Sequence, residues 1–344
     1  MGEGSACRSC PADQSVRMSM NQLISLQAAI DLIQQGKALS LAGTEATLDK
    51  LPAGNWIAGT IPYFMVAEGG TVVQDDRVFA TDLSDVGNVT LACYGASELE
   101  GIAGHAPDNG FALTIIPAAS ETHRRFSAEA ASYKDAFLKP TVGWIAGVHL
   151  NDLGKASPKV YDGRTATKHT DRAVVAYVAL PEDKLVQVDI VNLFEPDGQD
   201  TLRFHDTSFN VRECEVNGEK VNFAEYVNRR GLAHGQLPLV GDFAGAHVNV
   251  SLQKVHADHV DLYAPVFPGV DYHFASPVSD YAAAFRSRLA DQDTSGTVVS
   301  CNCILNFVFG ELEGKAIGGV QGPATFGEIA YQLVNQTLVN VRVL

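Results

Sequence analysis

Apolar positions along this chain recur mostly with period two, in short runs broken by glycine, proline and acidic turns. ALSLAG (38–43), GNWIAGTIPYFM (54–65), RVFATDL (77–83), NVTLACYG (88–95), FALTIIP (111–117), PTVGWIAGVHL (140–150), AVVAYVALP (173–181) and LVQVDIVNLF (185–194) all read as strands. From residue 202 the β signal becomes denser. SFNVRECEVNGEKVNF (208–223) predicts a hairpin turning at Asn217-Gly218, and HVNVSLQKV (247–255) with HVDLYAPVF (259–267) predicts another pair of strands. Helical spacing is rarer. Leu23, Leu26, Ile30 and Ile33 recur at intervals of three and four behind a capping box at Ser19 and Gln22, which predicts a helix from Ser19 to Gly36. Residues 118–137 and 276–290 are the other amphipathic candidates. TVVSCNCILNFVF (297–309) reads as a buried strand feeding a helix, and the last residues of 325–344 alternate like a strand.

This mixture predicts an α+β protein with two β-rich domains and helices packed on the sheets. The expected divisions are a flexible leader over 1–17, an N-terminal domain over 18–205 and a C-terminal domain over 206–344. At 344 residues and 46% hydrophobic content the chain has ample material for a core. The formal charge of −15, from 25 basic and 40 acidic residues, disfavours nucleic-acid binding, which needs a basic footprint. No apolar run approaches the ~20 residues that span a bilayer, and the polar N-terminus lacks a signal-peptide pattern. The expectation is a soluble, cytoplasmic protein with reduced thiols.

Signatures for nucleotide, zinc-protease, serine-hydrolase and kinase chemistry are missing. Cys7 and Cys10 form a C-x-x-C without a matching second pair, and Cys301 and Cys303 form a C-x-C suited to alternate faces of a strand. His256, Asp258, His259 and Asp261 gather metal-ligand types at a predicted hairpin tip, where such residues are also ordinary turn formers, and no metal is assigned. Glu328 is a lone acid in apolar surroundings, so it is expected either to be satisfied by hydrogen bonds or to reach into a pocket. The two tryptophans, Trp56 and Trp144, both stand in the tetrapeptide WIAG. Similarity fades outside it, so the shared feature reads as a buried indole at a strand end, followed by a glycine that admits a close neighbour. For Trp144 that neighbour is expected to be a strand, and for Trp56, with Thr60 and Tyr63 just beyond, a ligand.

GPATFGEIAYQLVNQTLVNV (322–341), VRECEVNGEKVNFAEYV (211–227) and SCNCILNF (300–307) resemble segments of FIST domains, sensory modules of bacterial signalling proteins. The resemblance extends loosely over residues 21–344, and the arginine that often follows the small cysteine run is missing. It implies a small-molecule sensor that binds an amino-acid-like metabolite between two domains and signals to a separate partner protein. The expected ligand contacts are Trp56, Thr60, Tyr63, Cys301, Asn302 and Glu328. The resemblance also implies a haem-binding nitric-oxide sensor as an alternative, and an enzyme with Cys301 or Cys303 as nucleophile is the third reading.

Overall fold

The computed structural model describes residues 21–243, 245–290 and 292–344. The expected leader, its Cys7 and Cys10, and the Ser19 cap lie outside these residues. Strands hold 43% of the chain and helices 18%, and the helices only cover faces of sheets, so the α+β class holds. Among the described residues no helix is long and apolar enough to cross a membrane.

Three stretches of chain follow one plan: strand, helix, strand, helix, strand, a protruding hairpin, and a closing strand. Unit 1 runs Asn21–Ser25, Leu26–Gln34, Leu39–Gly43, Glu45–Leu48, Trp56–Thr60, the hairpin Tyr63–Val66 with Gly69–Val72, and Arg77–Asp82. Unit 2 runs Asn88–Tyr94, Gly101–His105, Gly110–Pro117, Glu121–Glu129, Thr141–Ala146, the hairpin Val160–Asp162 with Thr167–His169, and Ala173–Ala179. Unit 3 runs Val186–Asn192, Tyr281–Ala290, Thr297–Cys303, Ile304–Phe309, Gly322–Thr325, the hairpin Glu328–Ala330 with Gln332–Val334, and Thr337–Val343. In each unit the second and third strands are parallel neighbours, and the closing strand lies antiparallel between the first and the second.

No hairpin joins its own sheet. The unit 1 hairpin pairs with Gly322–Thr325 of unit 3, the unit 2 hairpin with Trp56–Thr60 of unit 1, and the unit 3 hairpin with Thr141–Ala146 of unit 2. The exchange is cyclic and yields three six-stranded sheets of identical order. It has a physical logic. A lone hairpin is marginal in water, and the third strand of each unit would otherwise be an open edge. The inner faces of the three sheets share one core, in which Phe64, Leu113, Trp144, Cys301 and Val339 are all buried.

Between the first strand and first helix of unit 3 the chain inserts residues 193–280. These build a six-stranded sheet and a three-stranded sheet around their own core of Leu202, Phe223, Val260 and Tyr272. The predicted hairpin at Asn217-Gly218 is there, with φ of +52° and +88°, the backbone of a type I′ turn. The boundary expected at 205/206 does not coincide with a break between sheets. Strand Leu202–Arg203 pairs across it with Glu213–Val216, and residues 281–344 return to sheets of the first half.

Three further expectations change. The first helix starts at Leu26, capped by the Ser25 hydroxyl, which accepts from the Ala28 N–H at 3.2 Å; residues 21–25 pair instead with Arg77–Asp82. GNWIAGTIPYFM is not one strand. It breaks after Thr60, because Pro62 has no N–H to continue a ladder, and Tyr63–Val66 leaves for another sheet. HVNVSLQKV likewise divides at the buried Ser251 between the two sheets of the insertion.

The WIAG copies stand in corresponding strands of units 1 and 2, but on opposite faces. Trp56 and Ala58 point to the helix-covered side with Ala29, Ile33 and Leu48, while Ile57 points inward. Trp144 and Ala146 point inward, while Ile145 meets the helix side with Ile102 and Phe126. A one-residue offset reverses every side chain on a strand. The units repeat; the tetrapeptide does not occupy equivalent positions. Its glycines do share a task. A Cβ on Gly59 would lie 2.6 Å from Trp144 Cη2, and one on Gly147 would enter the Phe326 ring, so each glycine makes room for an aromatic ring from the following unit.

Candidate functional site

The connection from the third strand to the protruding hairpin differs between units. It spans residues 61–62 in unit 1 and 326–327 in unit 3, but residues 147–159 in unit 2. That longer loop folds back over the ends of Leu39–Gly43 and Trp56–Thr60. Between them lies a cleft of about 270 Å³, lined among others by Thr44, Glu45, Thr60, Gln74, His149 and Asp152. It sits at the carboxyl ends of two parallel strands, where α/β folds commonly hold ligands.

Thr60 fastens the loop at both ends. Its hydroxyl donates to the Gly147 carbonyl at 2.8 Å and accepts from the Lys159 N–H at 2.9 Å. Its backbone receives the Gly147 N–H at 2.8 Å and donates to the Lys159 carbonyl at 2.9 Å. Tyr63 braces the loop from behind. Its hydroxyl accepts from the Leu150 N–H at 3.0 Å and its ring stacks on His149 at 5.6 Å. Burial, assisted by the Asp152 charge, raises the Tyr63 phenol, so it stays protonated. Glu45 is paired with Lys168 at 2.7 Å, whereas Asp152 has no ion pair among the described residues.

The other expected contacts lie elsewhere. Trp56 is fully buried under the first helix, with its indole N–H donating to Pro52 at 2.9 Å, and does not line the cleft. It points across its strand to the helix side, where the core of unit 1 consumes it. Cys301, Asn302 and Glu328 gather in the interior, where unit 3 meets unit 2. Glu328 has no exposed surface. Its carboxyl accepts from the Thr337 hydroxyl at 2.8 Å and lies 3.1 Å from Thr325 Oγ1. Desolvation raises its pKa to about 8, against the lowering effect of these hydrogen bonds, so the group is neutral at pH 7. A protonated Glu328 also suits Thr325, whose single hydroxyl proton has the Asn302 and Gly327 carbonyls as further acceptors.

Burial and the neighbouring Glu328 hold both Cys301 and Cys303 well above the ordinary thiol range, and Cys301 sits 3.3 Å from the Gly143 carbonyl. Neither has the exposed, electropositive setting that makes a thiolate nucleophile.

The sequence reading missed Thr44, Gln74, His149 and Asp152. The available signal was length: GVHLNDLGKASPK, between a core strand and the next β segment, is polar and too long for a simple turn. It also missed His123, on the buried face of the second helix of unit 2 and held neutral by desolvation, with its pKa lowered to about 4.

Fold and site together define a class: an internally triplicated α+β protein with exchanged hairpins and a cleft where unit 2 overlies unit 1. Residues 24–344 match the family described as "Family of unknown function (DUF6976)", and the chain belongs to that family. No curated protein matches it.

Proposed function

We propose that this protein is a sensor or carrier of a small polar metabolite, bound in the cleft between Thr60 and the 147–159 loop. The observation that carries the reading is the combination of a preformed cleft of mixed apolar and polar lining with the Asp152 carboxylate, which has no ion pair among the described residues, on its wall. An amine on the ligand would neutralise Asp152, while hydroxyl or carboxamide groups would meet Thr44, Gln74 and His149. This keeps an amino-acid-like ligand and gives the acidic contact to Asp152 in place of the buried Glu328.

The FIST resemblance supports a signalling role. Of the residues that carry it, 322–341 form the third strand, the exchanged hairpin and most of the closing strand of unit 3, which belong to the framework. Signalling would then pass to a separate cytoplasmic partner through movement of the 147–159 loop. Hemin belongs in the same screen, because His149 lines the cleft and a haem iron needs an axial ligand.

A thermal-shift screen with amino acids, polyamines and polar metabolites tests the reading. A true ligand at a hundredfold its Kd adds about 2.7 kcal/mol of stability. Asp152→Asn should weaken its binding about tenfold, equivalent to ~1.4 kcal/mol. A ligand whose affinity ignores both Asp152→Asn and His149→Ala would place binding elsewhere.

A further inference from the structure

We propose that the inserted sheet carries a binding site for a divalent transition-metal ion of the zinc class, ligated by His256, His259 and Asp261. This is independent of the cleft. The strands Leu252–Val255 and Val260–Val266 are joined by a tight turn, closed by the His256 N–H donating to the His259 carbonyl at 2.8 Å. The turn stacks the two imidazoles, with ring centroids 4.2 Å apart and planes within 13°. Both rings address the same carboxylate, one on each oxygen: His256 Nε2 is 2.8 Å from Asp261 Oδ2, and His259 Nε2 is 3.7 Å from Asp261 Oδ1. The three donor atoms all lie within 4.8 Å of one another.

These separations fit a shared ion. Two donors bound to one tetrahedral zinc at 2.0–2.1 Å stand roughly 3.3 Å apart, and the observed 2.8 and 3.7 Å bracket that spacing. The surroundings fit as well. His259 Nδ1 is 2.7 Å from Asp258 Oδ1, and Asp258 is itself paired with Arg212. A proton held on Nδ1 by that carboxylate leaves the Nε2 lone pair facing Asp261, which is the carboxylate–histidine–metal relay of metal sites. The Asn210 side-chain amide donates to Asp261 Oδ1 at 2.6 Å and fixes the carboxylate's plane. Two imidazoles and one carboxylate suit zinc over calcium or magnesium, and three protein donors leave a fourth position open to water or a partner's side chain.

The test uses the 344-residue chain carrying Cys7→Ser and Cys10→Ser, so that these thiols cannot compete. The protein is stripped with a chelator and titrated with Zn²⁺ against a chromogenic competitor. One equivalent should bind tightly. His256→Asn with His259→Asn should weaken it by more than about a hundredfold, and Asp258→Asn, which removes no donor, by about tenfold or more. Co²⁺ in the same site should show visible d–d bands without a near-ultraviolet thiolate charge-transfer band. Absence of a stoichiometric equivalent, an unchanged affinity in the double variant, or a thiolate band would overturn the assignment. Should the double variant fail to fold, Asp258→Asn and the Co²⁺ spectrum decide it.

Discussion

Two junctions in this molecule are built from corresponding strands and come out as opposites. Where unit 2 meets unit 1, Thr60 ends the third strand and the cleft opens beside it. Where unit 3 meets unit 2, the corresponding strand of unit 2 ends at Ala146, and the polar groups packed there, with Thr325 of unit 3 among them, are sealed away from solvent. Each threonine hydroxyl does the same kind of work, satisfying backbone carbonyls where a hairpin departs for the neighbouring sheet. What differs is the connection. Residues 326–327 leave no room between the sheets, so Glu328 is driven inside; residues 147–159 arch outward and leave a cleft beside Thr60. In an internally repeated fold, function is therefore sought first at the unit whose connection departs from the plan, since the shared positions are occupied with packing.

The sealed junction should show itself most strongly through pH. The Glu328 pKa is about 8 in the folded protein against 4.5 unfolded, so between those values the native state holds a proton that the unfolded chain has released. Stability from this group is complete below pH 4.5 and is lost as pH rises, at about 1.4 kcal/mol per unit and roughly 4–5 kcal/mol in all. Glu328→Gln, neutral at every pH, should flatten this slope in urea melts recorded from pH 5 to 8; an unchanged slope would mean that Glu328 is ionised in the fold. His123 gives the opposite limb. Its pKa is about 4 folded against 6.5 unfolded, so stability is present above pH 6.5 and is lost as pH falls toward 4, by roughly 3 kcal/mol. His123→Gln should remove that acid limb and leave the alkaline one.

Smaller effects separate the two junctions further. Gly147→Ala places a methyl group into the Phe326 ring and should cost about 1–3 kcal/mol, with the near-ultraviolet circular dichroism altered as the ring shifts. Thr60→Val removes both side-chain anchors of the loop. About 1–2 kcal/mol of stability should go, and proteolysis within 147–159 should quicken; equal protease resistance would show that the loop does not depend on Thr60. Asp152→Asn, exposed at the cleft, should move stability by no more than about 0.5 kcal/mol, so that any loss of ligand affinity is read without a folding correction.

Much of the local structure was legible. ALSLAG, FALTIIP, AVVAYVALP, LVQVDIVNLF and the Asn217-Gly218 hairpin form where alternation and turn chemistry put them, and TVVSCNCILNFVF is a strand feeding a helix. Of the expected contacts, Thr60 ends a core strand and lines the cleft, while Tyr63, just beyond Pro62, stands behind the loop and off the cleft wall. Trp56 misled, because an aromatic beside a polar strand end looks alike whether its ring faces a cleft or a helix, and alternation does not say which face is which. Glu328 was read as either satisfied or reaching into a pocket, and the fold chose the former by enclosing it with Thr325 and Thr337.

By itself the sequence determined most of the strands, the Asn217-Gly218 turn and the acidic, apolar-cored character of the chain, because those depend on neighbours a few residues away. The threefold plan, the cyclic exchange of hairpins, the opposite facings of the two WIAG segments, and the meeting of Gly147 with Thr60 were decided only by tertiary structure. They rest on which strand edge each hairpin covers. That choice is made by pairing energies between segments as far apart as Phe64 and Pro323, and no local pattern records it.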